Sequence, residues 1–128
     1  MAKTERRRKS ERLPRAIEVT IQAADDKKAS EFVVLDLRKA AAFTDFFLIC
    51  SASNARQIRA IADAVIEALA VDGLKPAHVE GYDRSEWVLV DYFDFIVHIF
   101  TRETRLFYGL ERLWGNAERI EVAARARP

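Results

Sequence analysis

Glycine is scarce in this chain: four residues in 128, the first of them at position 73. Phosphate-cradling loops of the Gly-x-Gly-x-x-Gly or Gly-x-x-x-x-Gly-Lys type therefore cannot be drawn, because their backbone turns need glycine at fixed places. The same lack leaves Ser51 and Ser53 without the Gly-x-Ser-x-Gly elbow that exposes a hydrolase nucleophile, so both read as capping residues of a strand-to-helix turn. Cysteine occurs once, at Cys50. That excludes an intramolecular disulfide framework and fits a reducing compartment. His78 and His98 are the only histidines. With Cys50 they form no metal-ligand spacing, so neither a metal nor a cofactor is expected. No run approaches the roughly 18 apolar residues of a membrane span, and no apolar leader core is visible near the start. The expectation is a cytoplasmic chain without membrane contact.

What is present is an ordinary globular composition, half of it hydrophobic, in a length that suits one domain. The net charge of +1 conceals an asymmetry. Residues 1–12 hold six basic side chains against two acidic ones, while the remainder holds 15 basic against 18 acidic. A mildly acidic body thus carries a basic flexible arm over 1–12. Such an arm either attracts nucleic acid through its phosphates or is a solvated, frayed terminus.

Hydrophobic spacing sets the elements. Leu13, Ile17, Ile21 and Ala24 recur at helical intervals and predict a helix over 13–29, with Pro14 in its first turn. Phe32-Val33-Val34-Leu35 predicts a strand over 30–37, and Phe46-Phe47-Leu48-Ile49-Cys50 a second. Both runs are apolar on both faces and belong inside a sheet covered on each side. Asn54 reads as the N-cap of a second helix, with Gln57 completing a capping box. Ile58, Ile61, Ala62, Val65, Ala68 and Leu69 form its buried face, and Gly73 stops it. Short strands follow over 77–80, 87–92 and 95–100, the last two as a hairpin turning near Phe93-Asp94. A final helix is expected over 102–114, capped by Thr101, with Leu106, Leu110 and Leu113 as its core stripe. Residues 116–128 show no packing face and are expected to form a mobile tail. The order α-β-β-α-β-β-β-α predicts a single α/β domain over 13–115, a mixed five-stranded sheet flanked by helices.

Candidate chemistry is sparse. Asp91 and Asp94 flank the hairpin turn, where two carboxylates either hold Mg²⁺ or bond local backbone N–H groups, as turn aspartates do. Arg56 and Arg59 stand near the helix start at Asn54, a weak anion signal. His98 interrupts an apolar strand and reads as a hydrogen-bonded core or interface residue. The aromatics say more. Period two places Trp87, Leu89 and Asp91 on one face of their strand and Val88, Val90 and Tyr92 on the other. Arg105, Tyr108 and Arg112 point away from the last helix's core stripe, and Trp114 lies near its end. Tryptophan, tyrosine and arginine dominate interface hot spots. They also suit the rim of a large core, and the pattern leaves both readings open.

The runs Val34-Leu35-Asp36-Leu37, Thr44-Asp45-Phe46-Phe47-Leu48-Ile49-Cys50-Ser51, Val79-Glu80-Gly81, Glu86-Trp87-Val88-Leu89-Val90-Asp91, Asp94-Phe95-Ile96-Val97-His98-Ile99-Phe100 and Leu106-Phe107-Tyr108-Gly109-Leu110-Glu111-Arg112-Leu113-Trp114 resemble the ribosomal silencing factor RsfS family, also called Iojap or YbeB. They occur in that family's order and spacing over about residues 13–115. The resemblance implies a nucleotidyltransferase-like α/β fold without catalysis. It implies binding to the large-subunit ribosomal protein uL-fourteen on the face that meets the small subunit, which blocks subunit joining sterically and represses translation when nutrients are short. It also implies a homodimer. Trp87 matches the family's contact tryptophan. Val88, Asp91 and Asp94 match the neighbouring strand-hairpin residues, and Arg105, Tyr108 and Trp114 match the final helix. The basic arm would add a weak ribosomal RNA contact. Two departures stand out. Phe93 occupies a turn position where the family usually has glycine and where a left-handed conformation would strain phenylalanine, so either the hairpin turns differently or Phe93 adds exposed apolar surface. Ala52 likewise replaces a glycine after the second strand, which removes further support for a nucleotide-binding turn. The alternative reading is a Mg-dependent nucleotidyltransferase-like enzyme using Asp91 and Asp94.

Overall fold

The computed structural model describes residues 13–40 and 42–122. The expectations for the arm over 1–12 lie outside them. The elements are α1 (Arg15–Asp26), β1 (Ser30–Asp36), β2 (Phe46–Ala52), α2 (Ala55–Val71), β3 (His78–Glu80), β4 (Trp87–Asp91), β5 (Phe95–Thr101), α3 (Arg102–Tyr108), the single-turn α4 (Leu110–Leu113) and β6 (Glu118–Glu121). They form one α/β domain around a mixed six-stranded sheet of order β3-β4-β5-β2-β1-β6. Strands β2 and β5 pair parallel, and every other neighbour pairs antiparallel. A parallel pair needs a long crossover, and α2 with the β3–β4 ribbon makes it.

Alternation along the strands sorts two cores. Val34, Leu48, Cys50, Val88, Val90, Val97 and Ile99 face Ile17 and Ile21 of α1 and Ile58, Ile61, Val65 and Leu69 of α2. Val33, Leu35, Phe47, Ile49, Ile96 and Phe100 form a second cluster on the opposite face, closed by Leu110. All seven residues of β2 are buried, as its doubly apolar run demands.

The corner at α2 is tied by its own side chains. Asn54 Oδ1 accepts from the Gln57 backbone N–H at 2.9 Å, and Gln57 Oε1 accepts from the Ser53 N–H at 2.7 Å. Gln57 Nε2 donates to the Lys27 and Lys28 carbonyls, each at 3.0 Å, joining the end of α1 to the start of α2. Arg59 donates to Ser85 Oγ at 2.9 Å, so it serves the β3–β4 connection rather than an anion at the helix start.

Two expectations are corrected. The sheet has six strands, not five, because residues expected in a mobile tail pair with β1 over Glu118–Glu121. Only Ile120 of that strand is buried, among charged neighbours, so no apolar alternation announces it. The final helix is broken. Gly109 adopts a left-handed φ of 57°, and its N–H closes α3 on the Arg105 carbonyl at 3.0 Å. The phase shift drives Leu110 into the sheet but leaves Leu106 and Leu113 79% and 75% exposed, so the expected leucine stripe does not exist. The hairpin keeps the left-handed turn despite phenylalanine: Phe93 has φ 70°. Its N–H donates to Asp91 Oδ1 at 2.8 Å, its carbonyl accepts from Thr44 Oγ1 at 2.6 Å, and its ring projects outward, 73% exposed.

Candidate functional site

One face of the sheet is closed by α1 and α2. Among the described residues, the other is roofed by helix only at α3 and α4, and beside that roof it presents aromatics. The period-two reading of β4 holds: Trp87 and Leu89 pack on the second cluster, and Val88 and Val90 on the first. The half-buried Trp87 indole stacks on Phe100, centroids 4.8 Å apart and planes inclined by 28°. Tyr108 lies 4.9 Å from it on the α3 side, and Phe107 stands edge-on to Tyr108 at 5.0 Å. The Trp87 Nε1–H donates to His98 Nδ1 at 3.0 Å. His98 meets Phe47 edge-on at 4.5 Å, and Phe47 meets Trp114 and Phe43 edge-on at 5.8 and 6.3 Å. An aromatic series thus runs from α3 across β4, β5 and β2. Its ends at Phe107 and Phe43 are the most exposed.

Backbone at the edge of this face is constrained by close approach. A side chain at Gly81, whose φ is 81°, would place its Cβ 2.1 Å from the Trp87 carbonyl oxygen. The glycine lets the β3–β4 connection pass directly against the residue that bears the indole.

The electrostatics of the face are quiet. His98 is 3% exposed, and burial pushes its pKa down from 6.5 to about 3. The ring is neutral at ordinary pH. Because Nδ1 accepts the indole N–H, the proton sits on Nε2. Cys50 faces the helices, and burial pushes its thiol up to about 12, so it remains protonated and unreactive. The described residues contain no group of three or more His, Cys, Asp or Glu able to hold a metal ion.

The seven residues singled out by sequence divide. Trp87, Tyr108 and Trp114 fall in the aromatic series. Val88 does not: it is 0% exposed beneath the helices, on the face away from Trp87, as alternation requires. Arg105 does not either. Its side chain is 11% exposed and pins α3 to the sheet. Nη1 donates to Ser51 Oγ at 2.7 Å and to the Glu31 carbonyl at 2.8 Å, while Nε and Nη2 grip the two oxygens of Glu111 at 3.0 and 3.1 Å. That bidentate bond from Arg105, opposed by burial and aided by Arg105 and Arg119 charges, holds the Glu111 carboxyl below its usual value. Ser51 is therefore an acceptor in a buried network. The Asp91 carboxylate closes the hairpin turn, and Asp94 is exposed at its tip. Sequence reasoning missed the link between Trp87 and His98, and the parts played by Phe47, Phe43 and Phe107. The hairpin register that pairs Trp87 with Phe100 and Leu89 with His98 puts Trp87 and His98 diagonally on one face, so that link was within reach.

A family model described as "Ribosomal silencing factor during starvation", RsfS, matches residues 10–128. The chain belongs to the RsfS family. Its function is that of the family, silencing of ribosomes without enzymatic catalysis. The RsfS of Halalkalibacterium halodurans is 37% identical over 106 residues, covering 83% of this chain and 91% of the relative. The chloroplastic Iojap protein of Zea mays is 37% identical over 101 residues, 79% of this chain and 44% of that longer protein. A solved Chromobacterium violaceum structure aligns with a TM-score of 0.77 at 29% identity, covering 89% of this chain and 95% of the other. The RsfS match extends past residue 115 and includes β6. Among the described residues no helix is long and apolar enough to cross a membrane.

Proposed function

We propose that this RsfS chain silences ribosomes by docking its aromatic sheet face on the large-subunit protein uL-fourteen, in the cytoplasm, where its bulk keeps the small subunit from joining. The observation that carries the reading is the half-buried Trp87, stacked on Phe100 and flanked by Tyr108 on the face that, among the described residues, helices leave partly open. A rigid body with a large aromatic patch is what steric occlusion requires, since nothing has to react. A standard interface buries about 1,600 Å² in total, and the patch from Phe107 to Phe43 supplies its apolar centre. Trp87, Tyr108 and Trp114 are the contact residues, with the exposed Asp94 at its rim; Asp91, Arg105 and Val88 act by shaping the turn, holding α3 and filling the core. The kinship with nucleotidyltransferase folds belongs to the same reading, with Asp91 serving the hairpin turn instead of a metal. Self-association as a homodimer is part of the proposal too, and the outward Leu106 and Leu113 are the apolar surface free for it. Residues 1–12 add salt-dependent attraction to ribosomal RNA.

The test is direct binding of the purified chain to isolated large subunits. Trp87→Ala is expected to weaken binding by about 2 kcal/mol, some thirtyfold, with the fold intact by circular dichroism. Unchanged affinity would remove Trp87 from the site. Deleting residues 1–12 is expected to flatten the salt dependence of the same binding.

A further inference from the structure

The imidazole beneath Trp87 has a feature that the fold does not explain. Its Nδ1 is occupied by the indole N–H, while its Nε2, buried and protonated in that tautomer, has no hydrogen-bond partner among the described residues. An unpaired donor among apolar side chains is unfavourable, and an apolar residue of similar shape would remove the penalty. His98 lies in the second core with Phe47, Phe100 and Leu89 around it, so stability alone favours leucine or phenylalanine there. What the histidine supplies, and leucine or phenylalanine would not, is an acceptor at the N–H edge of the indole.

We propose that His98 is a positioning residue for ribosome docking: its Nδ1 holds the Trp87 ring stacked on Phe100, in the orientation a partner meets. Without that acceptor the indole N–H has to seek water, and the ring leaves the stack. Holding the ring in advance spares the complex the ordering of a large side chain on binding, which is how pre-organisation raises affinity. The inference rests on the reading that Trp87 docks.

Binding to large subunits is measured for wild type, Trp87→Ala, Trp87→Phe, His98→Leu and His98→Asn. Asparagine places its Oδ1 near the former Nδ1 and restores an acceptor, so it is the conservative variant. His98→Leu is expected to melt at or above the wild-type temperature yet bind about tenfold more weakly, and His98→Asn to recover most of that loss. In the Trp87→Phe background, which has no indole N–H, His98→Leu is expected to cost nothing further. Should leucine fail to fold, His98→Phe takes its place. The nitrogen-correlated proton spectrum of the free chain adds a readout that a purely structural role leaves unmoved. Of the two indole N–H signals, the one missing in Trp87→Phe should exchange slowly with water in wild type and His98→Asn and fast in His98→Leu. If Trp87→Ala loses binding while His98→Leu keeps it, the positioning role is wrong and the docking reading stands. If Trp87→Ala binds as wild type, the docking reading itself is wrong, and the positioning role goes with it.

Discussion

At the scale of single residues, Phe93 is a local conflict that the protein tolerates. A left-handed φ costs a side-chain-bearing residue about 1 kcal/mol, and the outward ring, 73% exposed, recovers little from packing. Phe93→Gly is therefore expected to stabilise the chain by about that amount, raising the melting temperature by roughly 4 °C. A lowered melting temperature would mean that the ring makes contacts the structure does not contain. His98 has a signature of its own. Its folded value of about 3 lies below the ordinary 6.5, so the unfolded chain takes up a proton that the folded one refuses. The stability from keeping it neutral is complete above that ordinary value and is lost progressively as pH falls from there toward the folded value. Thermal unfolding followed down to about pH 4 is expected to fall more steeply for wild type than for His98→Leu, whereas parallel curves would contradict the buried neutral ring. Residues were unequally legible. Trp87 and its face followed from period two, because a strand side chain has only two directions to take. Arg105 did not, because an arginine off a helix's apolar stripe reads as exposed until the acceptors beneath it, Ser51 and the Glu31 carbonyl from distant strands, are in place.

At the scale of elements, the turn between β3 and β4 and the roof of α3 decide whether the aromatic face exists. Gly81→Ala pushes a Cβ into the Trp87 carbonyl in a left-handed conformation. It is expected to destabilise by about 3 kcal/mol and to weaken large-subunit binding beyond what the lost folded fraction explains; an ordinary melting curve would contradict the close approach. Arg105→Ala leaves Ser51 without its donor and Glu111 with Arg119 alone, and frees α3 from the sheet. A loss of about 2 kcal/mol is expected, since the pair is only partly buried, together with a weaker dependence of stability on acid. The sign follows from Glu111, whose depressed value makes its contribution full above the ordinary carboxylate value and lost as pH falls through the folded one. Equal acid slopes with and without Arg105 would contradict that pairing. The elements that escaped sequence reasoning did so for physical reasons. The helix expected over 102–114 runs through Gly109, whose left-handed conformation breaks it and turns Leu106 and Leu113 outward. Strand β6 carries one buried residue, so its pairing with β1 is specified by the open edge of its neighbour and hardly by its own sequence.

At the scale of the whole molecule, the account is one of shape. Among the described residues, the RsfS chain presents a sheet with one face sealed by two helices and the other partly open, aromatic and uncharged at its centre. Three of its titratable groups serve structure: Cys50 is buried, Asp91 closes a turn and Glu111 anchors an arginine. The central claim is that this open face occupies the large subunit and so prevents joining. The decisive measurement is a sucrose gradient of large and small subunits mixed with the purified chain, run alongside Trp87→Ala. The account predicts that the wild-type chain migrates with the large subunit and that joined ribosomes decline, with both effects lost in the variant. Joined ribosomes at their full level while the chain sits on the large subunit would contradict it.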